Sequence, residues 1–243
     1  MTGRLYAIGT GPGAADLITV RGARVLGQLD VLYAPAGRKG GDSLSLSIVR
    51  EYLAARVDIR TRHFPMSLDA GEKDAVWDAV AREMAADVEQ GLQVGFITLG
   101  DAMLYSTWVF LLARLQGRIP IDIIPGVTSF ACIAARAQMP LAMESQSLAV
   151  MACTDDESAL EQALLSHDCV VLMKVYGRFA RIQALLGRLG LLEHALLMAD
   201  ASLPQERCFR ALGDLPPDQA LPYFSTVVVN KGWPAAATAH FNG

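Results

Sequence analysis

The sequence predicts an α/β protein in two domains, on three observations. Short apolar, β-rich runs alternate with longer helical patterns, the rhythm restarts midway, and a Pro-Gly step marks the restart. In the first half, strands are expected at residues 5–8, 30–34, 94–98 and 121–124, where β-branched, aromatic and other apolar residues run together. Between them, residues 17–26, 44–53, 72–90 and 104–115 repeat apolar side chains every three or four positions, as helices laid on a sheet do. Asp42 and Ser43 offer N-caps for the second helix. Strand followed by helix, time after time, favours a mainly parallel sheet. At Ile124-Pro125-Gly126 the chain changes course, because proline lacks the amide a continuing strand needs and glycine permits a sharp turn. A helix at 129–137 then opens a second set, with strands at 148–152, 170–174, 196–200 and 225–230 and helices at 157–165 and 179–189. The expected domains are 1–124 and 125–243, with a cleft between them. The Ala-rich stretch 234–238 reads as a frayed end.

Composition narrows the function. The 243 residues are 52% hydrophobic and 19% charged, which is ample apolar material for two cores. A net charge of −4 and a pI near 5.6 provide no positive field for a phosphate backbone, so nucleic acid is not an expected partner. Apolar runs such as 169–173 fall far short of the ~20 residues that span a bilayer, so no membrane is expected either. Met1-Thr2-Gly3-Arg4 leads straight into the first strand without the features of a signal peptide, which predicts a cytoplasmic location. Cys132, Cys153, Cys169 and Cys208 form no CxxC pair and read as buried thiols. His167, His194 and His240 have no metal-ligand spacing, so no protein-bound metal is expected.

Three turns carry the chemistry. Gly9-Thr10-Gly11-Pro12-Gly13-Ala14 follows a strand and precedes a helix, formally a dinucleotide pattern. Two details oppose a nicotinamide cofactor and the oxidoreductase it would imply. Pro12 removes an amide that should face a pyrophosphate, and the second strand ends Tyr33-Ala34-Pro35, with no acid for a ribose. A glycine turn that merely lets strand and helix pack closely remains an alternative for this segment alone. Thr98-Leu99-Gly100-Asp101-Ala102-Met103-Leu104-Tyr105-Ser106-Thr107 repeats the strand-to-helix placement, where α/β proteins bind ligands. Ile124-Pro125-Gly126-Val127-Thr128-Ser129-Phe130 supplies hydroxyls at the start of another helix.

In this order and at these spacings, the three turns closely resemble those of the tetrapyrrole (corrin/porphyrin) methyltransferase family. The similarity extends along the chain through Asp16-Leu17-Ile18-Thr19 and the strand at 170–174. Phe64-Pro65-Met66 together with Leu99–Thr107 looks most like the branch that methylates C20 of precorrin-2 or its cobalt-bearing counterpart in cobalamin biosynthesis. The resemblance implies two α/β domains of the tetrapyrrole methylase type, unlike a Rossmann methyltransferase, with an interdomain cofactor cleft and, usually, a homodimer. The first domain would lie on the tetrapyrrole side and the second would share the cofactor site. S-adenosyl-L-methionine would be the cofactor and S-adenosyl-L-homocysteine the product. Carried over by position, Pro12, Leu99, Gly100, Asp101, Leu104, Thr128, Ser129, Met173 and Ala201 would line the cofactor. Ala102 departs from the family, which commonly has proline after Gly-Asp; the loss relaxes the loop but removes no ligand group.

The implied chemistry asks little covalent help of the protein. In-line transfer of a methyl group gains up to roughly 7–11 kcal/mol from orientation alone, so the lack of a nucleophile-base pair is no objection. One proton must leave C20, and Asp101 is a candidate to accept it. Bracing the loop or contacting the cofactor are its other readings. A polyanionic tetrapyrrole needs local cations, for which Arg38 and Lys39 are placed in a glycine-bordered loop; Arg60, Arg62 and His63 are second candidates. Ordinary solvated charge is the competing reading of each. Tyr105 either stacks on the macrocycle or closes its loop. Competing functions are methylation at another corrin or sirohaem-pathway carbon or of a ribosomal RNA ribose, an NAD(P)-dependent oxidoreductase, and a cofactor-sensing module without catalysis.

Overall fold

A computed structural model describes residues 2–36, 43–64, 70–153 and 156–233. The chain divides into two compact units, Met1–Thr128 and Ser129–Gly243, each with its own five-stranded sheet.

In the first unit, β1 (Arg4–Gly9), β2 (Val31–Ala36), β3 (Asp58–His63), β4 (Gln93–Thr98) and β5 (Ile121–Ile124) pair in the order β3-β2-β4-β1-β5, every pair parallel. A parallel sheet must be covered on both faces, and the central strands are apolar on both. Leu5, Ala7, Tyr33, Val94 and Phe96 pack on one side against α3 (Ala70–Glu89) and α4 (Trp108–Leu115), through Trp77, Met84, Trp108 and Leu111. Ile8, Leu32, Ala34 and Ile97 pack on the other against Leu26 of α1 (Val20–Leu26) and Leu46, Ile48 and Val49 of α2 (Leu44–Val49). Each fully buried Val, Leu, Ile, Phe or Met among them contributes about 1.5–3 kcal/mol. The Thr19 hydroxyl caps α1 by accepting from Gly22 N at 3.1 Å, and Ser43 caps α2 by accepting from Leu46 N at 3.3 Å. Asp42 lies outside the described residues.

The helix expected at 104–115 begins only at Trp108, because Ser106 and Tyr105 belong to a turn. β3 was not anticipated. Its sequence, Asp-Ile-Arg-Thr-Arg-His, carries one large apolar residue and occupies the sheet edge, so it lacks the hydrophobic signature of a central strand.

In the second unit, β6 (Leu148–Ala152), β7 (Cys169–Met173), β8 (Ala195–Ala199), β9 (Arg207–Phe209) and β10 (Ser225–Asn230) pair in the order β6-β7-β10-β8-β9. Parallel pairing fails here. Only β6 and β7 run together, because β10 returns to insert between β7 and β8 against both. One face of this sheet packs on α6 (Glu157–Ser166) and α7 (Phe179–Arg188), where Leu160, Leu164, Phe179, Ile182 and Leu186 meet Val170, Leu172, Leu197, Val227 and Val229. The helix α5 (Ser129–Ala137) opens the unit, as its spacing predicts. Cys132, Cys153 and Cys169 are buried thiols, but Cys208 is exposed, because it lies on the short edge strand β9.

Candidate functional site

The strand order of the first sheet sets β4, β1 and β5 side by side, so the turns that follow them emerge together at one end. They lock onto each other through backbone. Gly11 N donates to Gly100 O at 3.2 Å, Gly100 N donates to Gly11 O at 2.7 Å, and Thr10 N donates to Thr98 O at 2.9 Å. Glycine is required by contact. A Cβ built on Gly9 would lie 2.6 Å from both Gly100 O and Gly126 N, and one on Gly126 would overlap Gly100 O. Gly100 differs: its φ of +72° demands glycine, yet a Cβ there would point into open space in front of the turn. That space is where a ligand can approach bare backbone.

Asp101 ties the third turn to the second. Its Oδ2 accepts from Gly126 N at 2.8 Å and its Oδ1 from Met103 N at 2.8 Å. Both carboxylate oxygens are thus committed to backbone amides, the bracing role among its readings. Behind this loop, the Thr98 and Ser106 hydroxyls lie 2.9 Å apart and Ser106 Oγ accepts from Trp108 N at 3.1 Å, which seats the start of α4. Ala102, at the position of the family's proline, is wholly buried beside Phe96 and Trp108. Pro12 is buried, Leu99, Leu104 and Thr128 are half-buried, and Tyr105 is exposed with a φ of +48°.

The other expected substrate cations fare differently. Arg38 and Lys39 lie outside the described residues. Arg60 and Arg62 are already paired: Arg60 bonds Asp58 at 2.7 Å and Asp87 at 2.7 Å, and Arg62 clasps Glu83 through two nitrogens. Both guanidiniums also lie over the Tyr33 ring, at 5.6 and 5.5 Å, while the Tyr33 hydroxyl donates to Asp87 at 2.6 Å. Burial and then the neighbouring Asp87 push the Tyr33 hydroxyl far above its ordinary range. Three carboxylates offset two guanidiniums, so this cluster fastens α3 to the sheet edge and offers no anion site. His63 Nδ1 lies 3.3 Å from Ala36 O.

In the second unit, Met173 is half-buried at the end of β7 and Ala201 is buried just beyond β8. Ser129 is half-buried at the head of α5. Three non-glycine residues next to these positions, Lys174, Asp200 and Ser202, hold positive φ values of 60°, 52° and 64°. Each costs of order 1–3 kcal/mol, and such strain collects at functional sites. Ser202 is held by Glu206, whose Oε2 accepts from Ser202 N at 2.6 Å and pairs with Arg136 at 2.5 Å. Tyr176, Tyr223 and Phe224 form an exposed aromatic group, with successive centroids 6.3 and 5.1 Å apart. Sequence reading missed this group, although two adjacent aromatics immediately before a strand are visible at 223–224. Among the described residues, no His, Cys, Asp and Glu side chains gather into a set able to hold a metal, and no helix is long and apolar enough to cross a membrane.

Comparison with known proteins identifies the family. Residues 4–216 match the family model for tetrapyrrole (corrin/porphyrin) methylases. The chain is 64% identical to cobalt-precorrin-2 C(20)-methyltransferase of Salmonella typhimurium, covering 96% of this chain and 98% of that protein. It is 31% identical to precorrin-2 C(20)-methyltransferase of a Sinorhizobium species, over 95% and 96% of the two chains. In fold, it is similar to uroporphyrin-III C-methyltransferase of Thermus thermophilus, solved in complex with S-adenosylhomocysteine, at a TM-score of 0.64, 20% identity and coverage of 94% and 92%. With the match covering most of the chain and the relatives spanning nearly all of it, this protein belongs to the tetrapyrrole methylases.

Proposed function

We propose that this protein transfers a methyl group from S-adenosylmethionine to C20 of cobalt-precorrin-2, a step of cobalamin biosynthesis. The observation that carries the reading is the 64% identity to cobalt-precorrin-2 C(20)-methyltransferase over nearly all of both chains, twice the identity to the enzyme named for the cobalt-free substrate. Family membership removes the oxidoreductase reading of the first glycine turn. Methylation of cobalt-free precorrin-2 is the second reading, favoured by the 31% match.

The residues present suit the cofactor. Gly100 presents backbone to open space, and a side chain there would fill it. Pro12, Leu99, Gly100, Asp101, Leu104 and Thr128 of the first unit, with Ser129, Met173 and Ala201 of the second, are the residues we assign to it. When bound, S-adenosylmethionine supplies a methyl group on a sulfonium, ready for in-line displacement by an electron-rich carbon. Asp101 holds the second and third turns in register, so the protein's part is orientation. Arg38, Lys39 and Tyr105 are assigned to the tetrapyrrole, the first two against its carboxylates and Tyr105 against its ring face. We further assign the protein to the cytoplasm as a homodimer, the state to be measured by sedimentation.

The test is to incubate the protein with S-adenosylmethionine and either substrate and follow the gain of one methyl group by mass spectrometry. Faster conversion of the cobalt-bearing compound is expected. A preference for precorrin-2 selects the second reading, and failure to methylate either, with the cofactor bound, reduces the protein to a cofactor-binding module.

A further inference from the structure

Among the described residues, the acidic residues of lowest exposure are Asp87, which is paired with Tyr33 and Arg60, and Asp200. Asp200 is only 8% exposed, at the carboxyl end of β8, and burial raises its pKa above the ordinary carboxylate value despite the attraction of Arg207. No described residue donates a hydrogen bond to it or forms an ion pair with it. Its carboxylate oxygens are not among the sealed, unpartnered polar atoms of the described residues, so the group reaches the surface of its unit, where a ligand can meet it. Its backbone is strained as well: φ is +52°, with its N–H donating to Phe224 O at 2.9 Å and its carbonyl accepting from Leu203 N at 2.9 Å. The fold therefore holds this side chain in place by its main chain, and the carboxylate itself is left over.

Position and charge select the ligand. Asp200 immediately precedes Ala201, one of the residues assigned above to the cofactor. A carboxylate here repels a polyanionic macrocycle and attracts a cation, and S-adenosylmethionine carries both a sulfonium and an ammonium group. We infer that Asp200 is an electrostatic partner of the cationic cofactor, stabilising it within the second unit. This rests on the proposal that the chain binds S-adenosylmethionine.

Asp200→Asn tests it, because asparagine tolerates positive φ and keeps the shape while removing the charge. Calorimetric titration of the full chain with S-adenosylmethionine is expected to show at least a tenfold loss of affinity. Thermal unfolding without ligand is expected to be unchanged or shifted upward, since the carboxylate removed has no hydrogen-bond donor among the described residues. A variant that is less stable than the parent, or that does not fold, would mean the carboxylate serves the fold, and would overturn the inference. Equal affinity in variant and parent overturns it too. If the parent itself binds no S-adenosylmethionine, the proposed function fails first and takes this inference with it.

Discussion

Gly9, Gly100 and Gly126 occupy one small region for two different reasons, and substitution separates them. At Gly126 the obstacle is neighbouring backbone, which cannot rotate away. Gly126→Ala is therefore expected to destabilise by about 3 kcal/mol or more in denaturant unfolding, at the upper end of what overpacking costs. Gly100→Ala meets only its own φ, at about 1–2 kcal/mol, but places a methyl group in the ligand's space. Affinity for S-adenosylhomocysteine should fall more than stability in that variant. Asp101→Ala strands two backbone amides; a loss of about 1–3 kcal/mol and at least tenfold in turnover is expected, with Asp101→Asn intermediate because one oxygen remains to accept. Full activity in Asp101→Ala would remove any role in the reaction. The motif made Asp101 legible in the sequence, but its bond to Gly126 was not, since 25 positions separate them and only strand order joins them. Asp200 left no trace in the sequence, because a lone acid after a strand looks like any turn residue.

Helices and strands were legible wherever periodicity was strong. β6 and β10 fall at the expected bounds, whereas polar β3 and three-residue β9 carried too little apolar signal to register. The polar face of β3 has its own pattern, Asp58, Arg60 and Arg62 at a spacing of two opposite Glu83 and Asp87 at a spacing of four, which is how a strand and a helix share a charged seam. For Glu83, burial pushes the pKa up, but the hydrogen bond and charge of Arg62 outweigh it and leave the group below its ordinary 4.5. A carboxylate with a lowered folded pKa stabilises fully above its unfolded pKa and loses that contribution as pH falls below it. Acid unfolding should thus steepen below pH 4.5, and Arg62→Ala should flatten that limb in a denaturant series. In the second sheet the sign reverses. Burial pushes the Cys153 thiol to about 11 and Cys169 to about 12, from 9.0. The folded state holds these protons more tightly, so stability is full below pH 9 and declines as pH rises through 9 toward 12. The midpoint of urea unfolding should drop across that range, and less in a Cys153→Ala, Cys169→Ala double variant.

At the scale of the whole chain, the α/β class and the family were legible because three turns recur in fixed order. The antiparallel half of the second sheet was not, since local rhythm says where strands lie and nothing of which neighbours they choose. S-adenosylhomocysteine at a hundredfold excess over its Kd should stabilise the protein by about 2.7 kcal/mol, read by scanning calorimetry as a rise in unfolding temperature.

The lock among Gly9, Gly100 and Gly126 also has a consequence in time. Its members are drawn from the first, fourth and fifth strands of the first sheet, and β1 gains its second neighbour only when β5 arrives. During synthesis, a nascent chain that has emerged only as far as β4 holds two of the three turns and no amide at 126 for Asp101 to grip. The three-turn lock thus closes only after the last strand of the first sheet and Gly126 have left the ribosome, so that a chain stalled short of that point has a sheet under construction and an Asp101 with no third turn to hold.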